Sequence, residues 1–317
     1  MKLQTQIPLK PQSHNQIDYN SKVLLLGSCF SENIGSKFEY LKFQSQTNPF
    51  GILFHPLAIE NLITRAINED YYSEDELIFH NEQWSCLDAH SKLNSTSRDD
   101  LLKRLNKQID VTNQQIKDST HIIITLGTAW VYRYLASDRV VANCHKLPQK
   151  QFLKELLSVE QITEALEAII ALVRRINSDT SFVFTVSPVR HLKNGFVENT
   201  QSKSHLVTTI HNIVEPRKRQ YYFPSYEIVM DELRDYRFYN TDMVHPNNVA
   251  IDYIWEKFKM VWLTEEAQKI SEHVASIQTK KSHRPFNPNS EAHQQFLEKL
   301  QIETDALCAR FPHFKFE

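Results

Sequence analysis

Three aliphatic runs stand out along the chain: Lys22-Val23-Leu24-Leu25-Leu26, His121-Ile122-Ile123-Ile124-Thr125-Leu126 and Ser181-Phe182-Val183-Phe184-Thr185-Val186. None alternates with polar residues, so each reads as a strand buried on both faces, the usual state of a parallel strand. Each ends in a turn: Gly27-Ser28, Gly127-Thr128 or Ser187-Pro188. Residues 41–47 alternate and predict a second strand, and 221–224 a brief one. The stretches between have helical periodicity. Ser31 is the expected cap of a helix over 31–40, with Glu32 near its amino end. Pro56 opens a helix with Leu57, Ile59, Leu62, Ile63 and Ala66 on one broad face. A polar helix follows from Ser97 or Arg98 to Lys117. Another runs from Ser158 or Val159 to Asn177 with Ile162, Ala165, Ile169, Leu172 and Ile176 along one side. Shorter helices are predicted over 200–214 and 226–233, after a polar loop over 191–199. A last one starts at Pro246 and Asn247 and runs to Lys259.

Strands alternating with helices imply an α/β fold with a mostly parallel sheet covered on both faces. Residues 71–96 and 131–150 break the alternation and read as insertions. The first carries a short hairpin strand around Trp84 and Cys86, the second a hairpin turning at Ser137-Asp138. Residues 1–21 form an irregular lead-in. Beyond Met260 the chain is helical and polar, broken around Arg284-Pro285-Phe286-Asn287-Pro288, with 279–283 read as a solvated linker. The expected organisation is one α/β domain over 1–262 and a helical extension over 263–317.

Composition narrows the function. With 36 basic and 38 acidic residues the net charge is −2, so no basic field invites nucleic acid. No apolar run reaches the roughly 20 residues of a membrane helix, and the polar start lacks a secretory h-region. The four cysteines are dispersed and form no C-x-x-C pair, which points to a reduced, cytoplasmic chain. Cys144 and His145, with His55, His90 and Asp88, fit no standard metal spacing, and neither metal nor other cofactor is expected. Only five glycines are present, against about 22 at average usage. Gly27, Gly51 and Gly127 each fall just after a strand-like segment.

Ligands of open α/β sheets bind beyond the carboxyl ends of the strands. Ser28, Gly51, Gly127, Ser187 and the loop holding Asp242 and His245 all map to that edge. Ser28 stands between a strand end and a helix amino terminus. It reads either as a nucleophile needing a base or as a helix cap. Asp242 and His245, three residues apart before a helix, read as a carboxylate fixing an imidazole base, or as a turn residue beside a surface histidine. An oxyanion needs donors. The candidates are the amides of Ser28, Cys29 and Gly51, and the side-chain amides of Asn48 and Asn143. Cys29 competes as nucleophile, because a thiolate at a helix amino terminus is stabilised. Trp130, Tyr132 and Tyr134 alternate and form either an aromatic face for a sugar or a packed strand. His55 and His145 are read as rim residues near substrate.

Gly27-Ser28-Cys29-Phe30-Ser31 resembles the signature of the GSCFA domain family, a branch of the SGNH/GDSL hydrolase superfamily. Asn48-Pro49-Phe50-Gly51, Leu126-Gly127-Thr128-Ala129-Trp130, Ser187-Pro188-Val189-Arg190 and Asp242-Met243-Val244-His245-Pro246-Asn247 are similar to further stretches of it. The resemblance covers about 22–259. It implies a flavodoxin-like, three-layer α/β/α sandwich and an esterase or acyltransferase with a Ser28-His245-Asp242 triad. The expected partner is a small-molecule or glycan ester, and the alternative is a non-catalytic domain binding an acylated glycan or peptide. The resemblance also implies that Ser28 and Gly51 supply oxyanion donors. The chain departs from the superfamily pattern in three places. Gly27-Ser28 lacks the aspartate of G-D-S, and Cys29 replaces a leucine-type residue. In the third block, normally G-x-N-D, Ala129 stands where asparagine belongs, so a third donor is absent or comes from elsewhere.

Overall fold

The structure is a computed structural model and describes residues 4–316. The first three residues of the expected lead-in, and Glu317 at the end of the extension, lie outside the described residues. In chain order the elements are β1 (Lys22–Gly27), α1 (Cys29–Tyr40), β2 (Gln44–Thr47), α2 (Pro56–Asn68), β3 (Leu77–His80), β4 (Gln83–Cys86) and α3 (Arg98–Asp118). There follow β5 (His121–Leu126), β6 (Trp130–Tyr134), β7 (Arg139–Val141), β8 (Phe152–Leu156), α4 (Val159–Ile176), β9 (Ser181–Val186), α5 (Phe196–Ile213) and β10 (Gln220–Tyr222). The chain continues through the single turn α6 (Ser225–Glu227), then α7 (Asn248–Trp262), α8 (Glu265–Ser282) and α9 (Glu291–Arg310).

Five strands form one parallel sheet in the order β10-β9-β5-β1-β2. Counted by appearance that is 5-4-3-1-2, the flavodoxin-like order, whose direction of winding reverses between β1 and β5. The strand runs lack polar interruptions because both of their faces are covered. Leu24, Leu26, Ile122, Ile124, Phe182 and Phe184 point to a core shared with α2, α3, α4 and α5. Val23, Leu25, Ile123 and Val183, one residue out of phase, point to a second core under α1, α7, α8 and α9. Three layers follow directly from the period of two along a strand.

The two insertions are antiparallel. β3 pairs with β4, and β6 is flanked by β7 and by β8, a strand the sequence pattern did not reveal. Four further differences have local causes. The first helix begins at Cys29 and its cap is Ser28, not Ser31. Ser31 lies inside the first turn, and its hydroxyl donates back to the Leu26 carbonyl at 3.1 Å. Helix α5 starts at Phe196, shortening the loop expected over 191–199, and the helix expected over 226–233 is α6 followed by a π-helical turn Ile228–Glu232. Residues 279–282, read as linker, complete α8. The two last helices each present a buried face, with Ala267, Val274 and Ile277 on α8 and Leu300 and Leu307 on α9. Beyond α9 the rings of Phe311 and Phe314 lie 5.3 and 5.2 Å from that of Tyr19.

Candidate functional site

Because the five strands are parallel, their carboxyl ends open on one edge, and the turns after β1, β2, β5 and β9 meet there. The turn after β1 is the tightest. Gly27 pairs with Thr125 at φ +132°, and a Cβ on Gly27 would stand 2.1 Å from the Thr125 carbonyl oxygen. Only glycine lets the two strand ends approach this closely. Ser28 then caps α1: its Oγ accepts the Phe30 N–H at 3.3 Å. The residue is 0 % exposed.

The expected oxyanion donors divide into engaged and free. The Ser28 N–H donates to the Thr125 carbonyl at 3.0 Å, and the Gly51 N–H closes the Asn48-Gly51 turn onto the Asn48 carbonyl at 2.7 Å. As the chain stands, neither is available, which corrects the expectation placed on both. The Cys29 N–H is among the first amides of α1, which have no partner within a helix. Among the described residues it bonds no backbone carbonyl outside the helix. Asn48 lies buried beside it: Oδ1 accepts the Gly27 N–H at 2.9 Å, while Nδ2 is buried with no partner. One hydrogen bond therefore anchors the carboxamide next to Ser28 and leaves its donor unengaged.

Asp242 and His245 form a compact pair on the turn before α7. The Asp242 carboxylate accepts the amides of His245 and Val244, both at 2.9 Å on Oδ1, and its Oδ2 lies 2.6 Å from His245 Nδ1. These contacts, the His245 amide foremost, hold its pKa down to about 2. The loop is closed on itself by the Asn240 N–H to His245 carbonyl bond at 2.8 Å and the Tyr239–Pro246 bridge. Among the described residues no hydrogen bond joins Ser28 to His245.

Between them lie two residues that the sequence reading missed. Lys203, on α5, is fully buried, and its ammonium donates to the carbonyls of Gly127 at 2.6 Å and Ser187 at 2.7 Å, tying together the ends of β5 and β9. Burial above all lowers its pKa to about 7, partly offset by attraction to Cys29. The signal was there: Lys203 falls on the same stripe as Leu206, Ile210 and Ile213, a charge on the apolar face of a helix. His191 lies against Gly127, its Nε2 3.3 Å from where a Cβ on that glycine would be, and that nitrogen is buried with no partner. Its ring meets Phe54 edge-on at 5.2 Å. Burial, then the Lys203 ammonium, then His245 hold its pKa down to about 4. Charge neighbours thus run from Cys29 through Lys203 and His191 to His245.

The remaining candidates are mostly structural. Burial pushes the Cys29 thiol up despite the pull of Lys203, which corrects the expected stabilised thiolate. The Thr128 hydroxyl pairs with Ser202 at 3.1 Å and accepts the Trp130 N–H. His145 Nε2 faces the Cys86 and Ala89 carbonyls at 2.7 and 3.1 Å. His55 caps α2 through Nδ1 and meets the Val141 carbonyl at 3.0 Å through Nε2. Both imidazoles brace walls rather than present nitrogens. Asn143 Oδ1 accepts the His145 amide. His55, Thr128, Asn143 and His145 line a cleft of about 730 Å³ with Phe54, Trp130, Tyr132, Lys146, His191 and Lys193, and no carboxylate lines it. Tyr134 is outside the cleft, packed on Phe152 at 5.3 Å. A second cleft, about 410 Å³, separates Arg190 and Phe196 from Arg234, Tyr236 and Met243 of the loop leading to His245. Among the described residues no three His, Cys, Asp or Glu side chains are grouped to hold a metal, and no helix is long and apolar enough to cross a membrane.

A model of the GSCFA family matches residues 22–258, and a model of the GSCFA domain protein, C-terminal domain, matches residues 274–317. No curated protein matches the chain.

Proposed function

The chain belongs to the GSCFA family, and from that premise we propose that it is a serine-dependent esterase or acyltransferase of SGNH type. The observation that carries this reading is the Asp242–His245 pair, 2.6 Å apart, on the turn before α7. A carboxylate held at pKa about 2 stays charged throughout the neutral range, fixes the imidazole tautomer and stabilises an imidazolium. His245 takes the Ser28 proton, and Oγ attacks the ester carbonyl. Collapse of the tetrahedral intermediate breaks the bond to the alcohol, which leaves with the proton from His245. Water or an acceptor hydroxyl then attacks the acyl-enzyme by the same route. Donors for the oxyanion are the Cys29 amide, at the positive end of α1, and Asn48 Nδ2. Because Ser28 is closed from solvent and unpaired with His245, ester binding has to bring the Asp242–His245 loop inward.

The alcohol of the ester occupies the larger cleft. Trp130 and Tyr132, residue types that stack on sugars, line it, and the lining has lysines but no carboxylate, which suits an O-acylated carbohydrate. The four cysteines are free thiols, in keeping with a cytoplasmic setting. The closure of Ser28 favours a second reading, a non-catalytic domain binding an acylated glycan or peptide. Hydrolysis of an aryl acetate by the wild type and Ser28→Ala decides between them. Activity should fall at least about 10³-fold in the variant, the loss typical of a triad nucleophile. Equal rates in the two proteins would end the catalytic reading. Failure of a fluorophosphonate to label Ser28 in a protein that still binds acylated glycan would favour the second.

A further inference from the structure

The third block of this chain has no asparagine, and its geometry leaves no room for one. Ala129 is fully buried in the core over the α2–α5 face of the sheet, and its N–H donates to Ser202 Oγ at 2.7 Å. A side chain extended from this position would enter the core, not the crevice. The space over Gly127, the glycine of that block, is filled from the neighbouring strand instead. Residues after β9 carry His191 back across β5, where its Nε2 closes on Gly127.

We propose that His191 Nε2–H is the third oxyanion donor, taking the place of the absent asparagine; this rests on the serine-hydrolase reading above. Three observations support it. Nε2 is buried without a partner, which costs free energy unless a ligand's acceptor completes it. The residue is fixed from two sides, its backbone N–H by Asn199 Oδ1 at 3.0 Å and its ring by Phe54. Its surroundings keep the imidazole neutral. Burial and the nearby Lys203 ammonium oppose a second proton, so the ring donates a hydrogen bond without releasing or taking one. The same features make it a poor base, which leaves proton transfer to His245. Lys203, wholly buried behind the Gly127 and Ser187 carbonyls, holds together the ends of β5 and β9 next to which His191 sits.

The test compares wild type, Ser28→Ala, His191→Ala and His191→Asn on an aryl acetate, with thermal midpoints as a folding control. His191→Ala should lose about 10²–10³-fold in kcat with KM changed less than about threefold, as for removal of one oxyanion donor. His191→Asn, which keeps a side-chain N–H, should recover about tenfold or more of that loss. An independent readout is the His191 ring signal in ¹H–¹⁵N spectra during titration with sodium acetate, which needs no chemistry at Ser28. The Nε2–H resonance should move downfield in both wild type and Ser28→Ala. Three results overturn the proposal: a folded His191→Ala with kcat within about threefold of wild type, a His191→Asn as impaired as the alanine variant, or an Nε2–H unmoved by acetate. If the wild type turns over no ester, the catalytic reading fails, and the acetate titration still decides whether His191 binds an oxyanion.

Discussion

Lys203 makes stability depend on pH in an unusual direction. An unfolded lysine titrates near 10.5, and this one is held at about 7 because burial strips the ammonium of water. Between those values the unfolded chain carries a proton that the folded chain has given up. Stability therefore rises with pH across the window, and below pH 7 both states are protonated and the dependence vanishes. The whole window is worth roughly 4–5 kcal/mol at 1.36 kcal/mol per pH unit. About 2 kcal/mol of it falls between pH 7 and 9. Lys203→Met removes the titration while keeping the length of the side chain. The absolute effect of that change has no fixed sign. It leaves the Gly127 and Ser187 carbonyls without their donor but also removes a buried charge, and these opposing terms are similar in size. The pH slope isolates the lysine. Urea unfolding of both proteins at pH 7, 8 and 9 should show the wild type gaining about 2 kcal/mol relative to the variant. Parallel curves, with a gap constant to within roughly 0.5 kcal/mol, would refute a buried lysine with a depressed pKa.

Two other substitutions probe the frame of the site. Gly27→Ala sets a Cβ 2.1 Å from the Thr125 carbonyl at a positive φ, so β1 and β5 must part; a loss of about 3 kcal/mol or more is expected in urea unfolding, and a near-native midpoint would contradict the contact. His55 is held by burial at about 4, below its ordinary 6.5, so wild type loses up to roughly 3 kcal/mol of stability as pH falls through that interval. His55→Asn keeps a capping side chain for α2 and should lack this acid-sensitive component, a difference that thermal midpoints at pH 4.5 and 6.5 will resolve.

The fold was legible because its central strands state their burial plainly. Three uninterrupted aliphatic runs, each followed by a turn, carry both the parallel sheet and the edge on which the site lies. β8 escaped notice because Phe152-Leu153-Lys154-Glu155-Leu156 is half exposed on a small outlying sheet, where burial imposes little pattern. Serines at 28 and 31 satisfy the same local rule for the cap of α1, and what separates them is that the Ser31 hydroxyl is engaged by the Leu26 carbonyl five residues back. The Asp242–His245 contact was readable, since residues three apart in one turn meet without help from the rest of the chain. Engagement of the Ser28 and Gly51 amides was not readable, because it depends on Thr125 across the sheet and on the closed form of the Asn48 turn. His191 was hidden for a related reason, since its place comes from the return of the segment after β9 over the end of β5, whereas Lys203 was readable as a charge on the apolar stripe of α5.

The two roles that the sequence offers for Ser28, cap and nucleophile, are compatible. Its Oγ accepts from the Phe30 N–H, which engages a lone pair and leaves the hydroxyl proton to be given away. On the proposed reading, the donor that stabilises the helix end points at the atom that becomes an alkoxide when a base removes that proton. The partial positive charge of the α1 terminus acts on the same atom, so the helix favours the charged form. What the cap does not supply is the base. On the proposed reading that comes from an exposed loop whose internal bonds are complete without Ser28, so the nucleophile is held ready while the base arrives with the substrate. On that reading the division keeps a buried hydroxyl inert toward water and reactive only once an ester is bound.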